Sequence, residues 1–396
     1  MVQISPHKLK GWRLRNGWTL QAMAEEMTGS GHKISKVALG QFEKGTTHPK
    51  ASTLRSLSKV LGIRPSELMY SGFQLDFIGF RSLASMTKTH KNRIVAQMEH
   101  MAERRERLCT LAGFDRKPWS IEKQRVKVVE QADELALNVR MTWDLGVDAI
   151  GSIVDVVQRN GAEVLELAED RKFSGLSAHS SDGVPFVAIQ RREKDGARQR
   201  MDLAHELAHL VLDPKSPVDE EKFAHRFAGA FLLPRETVIA ELGLHRRDLN
   251  FQELKALKIK YGTSMQAWVR RARDCRVIKE STYKSLMFRI SRAGLRSDER
   301  APYVTPEAID RDLRLAARCV TEKSLNVEDA AELAGLPVEE LDDSTMINVK
   351  PTRSTLRSLS RAERQKLAQK GARMTAESYR ENPQDVVPDI MDLKED

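Results

Sequence analysis

The chain has 396 residues, 40 % of them hydrophobic and 31 % charged, with a net charge of +9. That is enough apolar material for two or three packed domains, and it excludes a disordered or fibrous chain. No run of roughly 18 apolar residues occurs, so no membrane partner is expected. The opening MVQISPHKLKGWRLRNGW lacks an apolar secretory core, and Cys109, Cys275 and Cys319 are too scattered for a disulfide framework, so a cytoplasmic location is expected.

Residues 1–70 read as five short helices. Lys8–Asn16 forms the first and Gly17 ends it. Thr19 caps a second that runs to Met27, and Thr28–Lys33 is a turn. Ser35 caps a third to Lys44, with Gly45 as its stop. After Pro49, Ser52 opens a fourth carrying Leu54, Leu57, Val60 and Leu61, and Pro65-Ser-Glu-Leu68 starts the last. The segment holds eleven Lys/Arg against four acids, most of the chain's positive excess, which points to a polyanion partner.

The pattern Thr19, Ala24, Leu39, Glu43, Gly45, Pro49 resembles the Cro/repressor-type (XRE) helix-turn-helix family. The resemblance implies a DNA-binding domain over 1–70 whose third helix enters the major groove of an operator, with a homodimer as the possible binding form. Lys36, Val37, Gly40 and Gln41 are the candidate base readers, since Lys and Gln hydrogen-bond base edges and Val can touch a thymine methyl. Lys33, Lys44 and Lys50 are candidates for phosphate. Gly40 equally fits close helix packing.

Region 71–118 reads as a helical linker. Phe73, Phe77, Ile78 and Phe80 form an apolar cluster expected to extend the first domain. Thr87–Ala112 is a charged helix with a partial stripe of Ile94, Met98, Met101, Leu108 and Leu111, a spacer or a dimer helix.

In 119–245, Ser120 is expected to cap a long amphipathic helix through Val126, Val129, Leu135, Val139 and Met141 to Gly146. A second helix is expected over 147–158, closed by Asn160-Gly161. Glu163–Leu167 and Pro185–Gln190 read as strands, with Phe173–Ser181 between them as a strand or loop and His179 as a surface histidine. The small sheet is either a platform or an edge onto which a peptide substrate adds.

His205-Glu206-Leu207-Ala208-His209 then has the form H-E-x-x-H. Histidines four apart share a helix face and reach one ion, and Glu206 projects beside it to take a proton from water. Leu203, Leu207, Leu210 and Val211 give this helix an apolar side. A second helix from Asp219, with Phe223, Phe227 and Phe231 on one face, can return Glu221 to the histidine pair. Two His and one carboxylate form the catalytic zinc set. Glu220 is the alternative third ligand, and His225 is a hydrogen-bonding partner or a competing ligand.

The paired segments RMDLAHELAHLVL and EEKFAHRFAGAFLLP resemble the ImmA/IrrE family of metallopeptidases. Ala208 stands where that family usually has Gly, and His225 where it commonly has Asn. The resemblance implies one Zn2+ per chain on His205, His209 and Glu221, and Glu206 as general base. It further implies an endopeptidase directed at a protein substrate, a transcriptional repressor, in a stress response.

The remainder reads as a helical extension over 246–345 and a flexible charged tail over 346–396 holding one helix, Ser360–Tyr379. Ser264 onward places a basic face over an apolar one, Tyr283–Ala293 is a further helix, and Val327–Pro337 hints at a second helix-turn-helix with acidic flanks. The expected fold class is α+β, mostly helical: an N-terminal five-helix domain, a zincin-like peptidase domain with a small sheet, and helices after it. The alternative function is a non-catalytic transcription regulator or antitoxin-like binder that uses the metallopeptidase fold as a sensing or interaction module.

Overall fold

The computed structural model describes residues 4–69, 73–78, 86–169, 173–296 and 298–341. At the N-terminus, Ser5 accepts from the Lys8 amide and starts α1 (Pro6–Arg15), two residues earlier than expected because Pro6 suits the first helical turn. Thr19 caps α2 (Leu20–Gly29) and Ser35 caps α3 (Lys36–Glu43). The fourth helix, α4 (Ala51–Leu61), starts one residue before Ser52, with Lys50 at the cap position, and ends at Gly62 with φ 68°. A 3-10 turn, Pro65–Leu68, closes the bundle. Leu9, Met23, Met27, Leu39, Leu57 and Leu68 are fully buried in its core, each worth about 1.5–3 kcal/mol. Arg13 grips Glu43 with two bonds of 2.6 and 2.8 Å and so locks α1 to α3.

The segment after this bundle is more than a helical linker. Leu75–Ile78 is a strand, β1, and Lys88–Leu111 is α5. β1 pairs antiparallel with β3 (Gly175–Ser180), so Phe77 and Ile78 belong to the sheet and do not extend the first domain. β3 pairs antiparallel with β4 (Pro185–Gln190), which pairs in parallel with β2 (Glu163–Leu167). The order is β1-β3-β4-β2. Period-two alternation divides the two faces: Phe186 and Ala188 share a core with Ile94 and Met98 of α5, while Val187 and Ile189 share another with Leu203 and Leu207 of α8 (Gly196–Val211). His179 lies on β3 opposite Asp76, half-buried, and not in a surface loop.

Two expected helices are shorter than read. No helix starts at Ser120: the Gln124 backbone bonds Val211 and Asp213 at the end of α8 (2.8 and 2.9 Å), which holds this stretch extended. A 3-10 turn at Val129–Gln131 then leads into α6 (Ala132–Thr142). Likewise 147–152 is not helical, because Arg140 takes the Gly146, Asp148 and Phe231 carbonyls at 2.8, 2.5 and 2.6 Å. Ser152 caps the shorter α7 (Ile153–Arg159).

After α8 come α9 (Glu220–Leu232), α10 (Arg235–Leu242), α11 (Phe251–Tyr261), α12 (Met265–Asp274) and α13 (Glu280–Arg292). Two further helices, α14 (Arg311–Thr321) and α15 (Val327–Ala334), pack on α5. Arg104 of α5 bonds the Glu332 and Leu333 carbonyls at 2.6 and 2.5 Å and so ties α15 to α5. Fully buried Glu163 binds Arg105, Arg116 and Arg311 at 2.5, 2.6 and 2.9 Å and joins α5, β2 and α14. Val338–Glu340 is a 3-10 turn. The expected Ser360–Tyr379 helix and charged tail lie outside the described residues. No described helix is long and apolar enough to cross a membrane.

Candidate metal centre and DNA-binding face

The first helical bundle presents α3 outward. Leu39 and Phe42 anchor it, while Lys36, Val37 and Gln41 are exposed, Val37 to 62 %. Lys33, Lys44 and Lys50 are exposed around the same helix. Gly40 is half-buried, and a Cβ there would lie 3.5 Å from a Leu20 methyl, so close packing accounts for part of its place.

In the body, α8 starts with Asp195 accepting from the Arg198 amide at 3.0 Å. Gly196 is required for space, since a Cβ there would fall 2.4 Å from the Thr305 carbonyl. Leu203, Leu207, Leu210 and Val211 are fully buried and fix the helix face. His205, Glu206 and His209 are consequently drawn inside, at 6, 2 and 3 % exposure. Asp219 caps α9 through the Lys222 amide, and fully buried Phe223, Phe227 and Phe231 seat α9 against its neighbours. This packing brings Glu221 back to the histidines. Its oxygens lie 3.3 Å from His205 Nε2 and 3.7 Å from His209 Nε2, and the two Nε2 atoms are 3.3 Å apart. One ligand atom from each of these three residues falls within 4.8 Å of the others. Residues 161–273 match the family model of an IrrE N-terminal-like domain, peptidase family M78.

Residues 9–68 match the helix-turn-helix family model, so an XRE-type helix-turn-helix precedes the IrrE-like domain in this chain. No curated protein matches the chain. The IrrE-like domain holds every residue of the H-E-x-x-H helix, and its match runs on into α12.

The donor set of the IrrE-like domain fits a divalent metal ion. Two imidazole nitrogens and a carboxylate converge, and the buried Glu221 Oε1 has no hydrogen-bond partner. Glu220 is not part of the group, and neither is His225, whose ring centre lies 4.5 Å from that of His205. Burial, followed by the charge of His205, pushes His209 down to about 4. At neutral pH it is therefore an uncharged acceptor, the form a metal requires. Burial works to lower His205, but the Glu221 hydrogen bond and the Glu206 charge outweigh it and raise this group.

Glu206 is pushed up to about 7, first by burial, with Asp202 and Glu221 adding to the rise while His205 and a Ser177 bond oppose it. Ser177 Oγ donates to Glu206 Oε2 at 2.6 Å, and Gly175 lies directly against the same side chain. Sequence reading missed both residues; the small Gly-x-Ser on alternate positions of β3 was the available signal. It also missed the cleft wall. A cavity of about 590 Å³ opens beside His205, Glu221 and His225, and Gln266, Arg270, Met287 and Tyr303, all beyond residue 245, line it. The buried Lys258–Glu299 pair, at 2.9 Å, ties α11 to the segment that follows α13 along this wall.

Proposed function

We propose that this protein is a DNA-binding regulator that hydrolyses a peptide bond in a specific protein, a transcriptional repressor, in a stress response in the cytoplasm. The observation that carries the reading is the convergence of His205, His209 and Glu221 within 4.8 Å, with Glu206 buried beside them. These three residues would hold one zinc ion per chain. Zinc would supply Lewis-acid polarisation of the scissile carbonyl and lower the pKa of water. Glu206 accepts the proton of the attacking water on a carboxylate oxygen and passes it to the leaving amine. A carboxyl held near 7 is poised for both directions of that transfer at neutral pH. The cleft beside His205 and Glu221 receives the substrate chain, with Arg270 and Gln266 as polar contacts.

The exposed face of α3 supports operator recognition by the helix-turn-helix, as a homodimer on paired half-sites. Lys36, Val37, Gly40 and Gln41 face base edges in this reading, and Lys33, Lys44 and Lys50 face phosphates. The test is Glu206→Gln in the full chain. The variant keeps one zinc per chain and operator affinity, and cleavage of the co-expressed repressor stops. Cleavage at the wild-type rate would exclude the hydrolytic reading.

A further inference from the structure

We propose that Ser177 and Gly175 of β3 are positioning residues that hold the Glu206 carboxylate in its working place. The inference rests on the reading of Glu206 as general base. Glu206 projects from α8 toward the sheet, at 2 % exposure, and makes no ion pair among the described residues. Its placement therefore depends on the strand it faces. Ser177 Oγ lies 2.6 Å from Oε2 and 3.1 Å from the Glu206 backbone carbonyl, so one hydroxyl spans the side chain and the helix that bears it. Its single hydrogen favours the nearer acceptor, the carboxylate oxygen.

Gly175 sets the other limit. A Cβ built there falls 2.5 Å from Glu206 Cγ, 2.6 Å from Oε1 and 2.8 Å from Cδ, closer than any real contact. Its φ lies outside the left-handed region, so the requirement is for space and not for conformation. Any side chain at 175 evicts the carboxylate. Positions 175 and 177 share one face of β3 and meet the same residue. The strand itself is fixed from both sides, because β1 pairs with it from Ser177 to Ser180 and β4 from Gly175 to His179. Oε2 is thus tethered, and the buried Oε1, which has no hydrogen-bond partner, is the oxygen left to take the proton.

The probe is acetohydroxamate, whose hydroxyl donates to a general base when its oxygens meet a metal. It is titrated into the cobalt(II)-loaded full chain and read by visible absorption. Ser177→Ala and Gly175→Ala each weaken its binding by about tenfold, the usual cost of losing an orienting partner, and metal content stays at one per chain. Glu206→Asp retracts the carboxylate from the reach of Ser177, so Ser177→Ala in that background has no further effect. A merely structural serine would instead weaken binding equally in both backgrounds, and that result overturns the proposal, as does no effect in either. In metal-free crystals of Ser177→Ala the Glu206 carboxylate is displaced; an unmoved carboxylate likewise overturns it. If Glu206→Gln leaves acetohydroxamate binding unchanged, it is the general-base reading that fails. Should Gly175→Ala not fold, Ser177→Ala carries the test alone.

Discussion

Helices α3 and α8 carry their proposed roles in opposite ways. α3 buries two of its eight residues, Leu39 and Phe42, and turns the rest toward solvent or its flanks. α8 buries fourteen of sixteen, including both histidines and Glu206. A helix that reads a groove needs only a narrow anchoring stripe, because its partner supplies the other surface. A helix that does chemistry must bring polar groups out of water, and their altered protonation is the direct result: Glu206 rises to about 7 and His209 falls to about 4. Exposed function leaves stability alone, whereas buried function is bound up with it.

The sharpest break of this contrast is at the metal. On the proposed function, a chelator or His205→Ala should abolish proteolysis, and Glu206→Gln should lower turnover by about 10²–10⁴-fold. Operator affinity in a gel-shift assay should stay within about twofold, since Leu39 and Phe42 seat α3 in the N-terminal core. Loss of both activities together would show that the regions are not separable in this way.

Core substitutions sharpen it next. Leu207→Ala on α8 costs about 2–5 kcal/mol in urea unfolding, while Val37→Ala on α3 changes stability by less than about 0.5 kcal/mol. The joint between the two regions gives an effect of similar size. α1 docks on α5 through Lys8–Glu103 at 2.5 Å and the Trp12–His100 rings, and α5 is pinned to β2 by Glu163. Burial alone would raise the Glu163 carboxyl, but Arg105, Arg311 and Arg116 hold it below the usual range. Its stabilising contribution is therefore complete above the ordinary glutamate range and is lost as pH falls through the lower folded value. Glu163→Gln should flatten this acid limb of the stability curve, and Glu163→Ala should cost about 3–5 kcal/mol by stranding buried guanidinium groups.

The smallest effect is on the exposed side. The slope of log K against log salt for operator binding should fall by about 0.9 for each of Lys33→Ala, Lys44→Ala and Lys50→Ala. An unchanged slope would remove these lysines from the phosphate contacts.

Legibility followed the same division. The caps Thr19 and Ser35 and the stop at Gly45 are local, and the structure realises them within a residue or two. The H-E-x-x-H face is legible because helical geometry carries residue i onto i+4 without outside help. Strand β4 matches its apolar run, Pro185–Gln190, to the residue. Strand β1 was not legible, since Leu75–Ile78 is too short to show alternation and its partner is Ser177–Ser180. Nor was the extended stretch around Gln124, whose apolar spacing suits a helix until the end of α8 takes its backbone bonds.

The amino-acid order by itself carried the helix-turn-helix, the H-E-x-x-H helix and the residue types proposed as metal ligands, because capping, periodicity and i,i+4 spacing act within a few residues. Tertiary structure alone decided that Glu221 rather than Glu220 meets the histidines, that Ser177 and Gly175 lie against Glu206, and that α12 and α13 wall the cleft. Each of these depends on contacts between segments distant in the chain, where packing selects among conformations that local propensity leaves equally open.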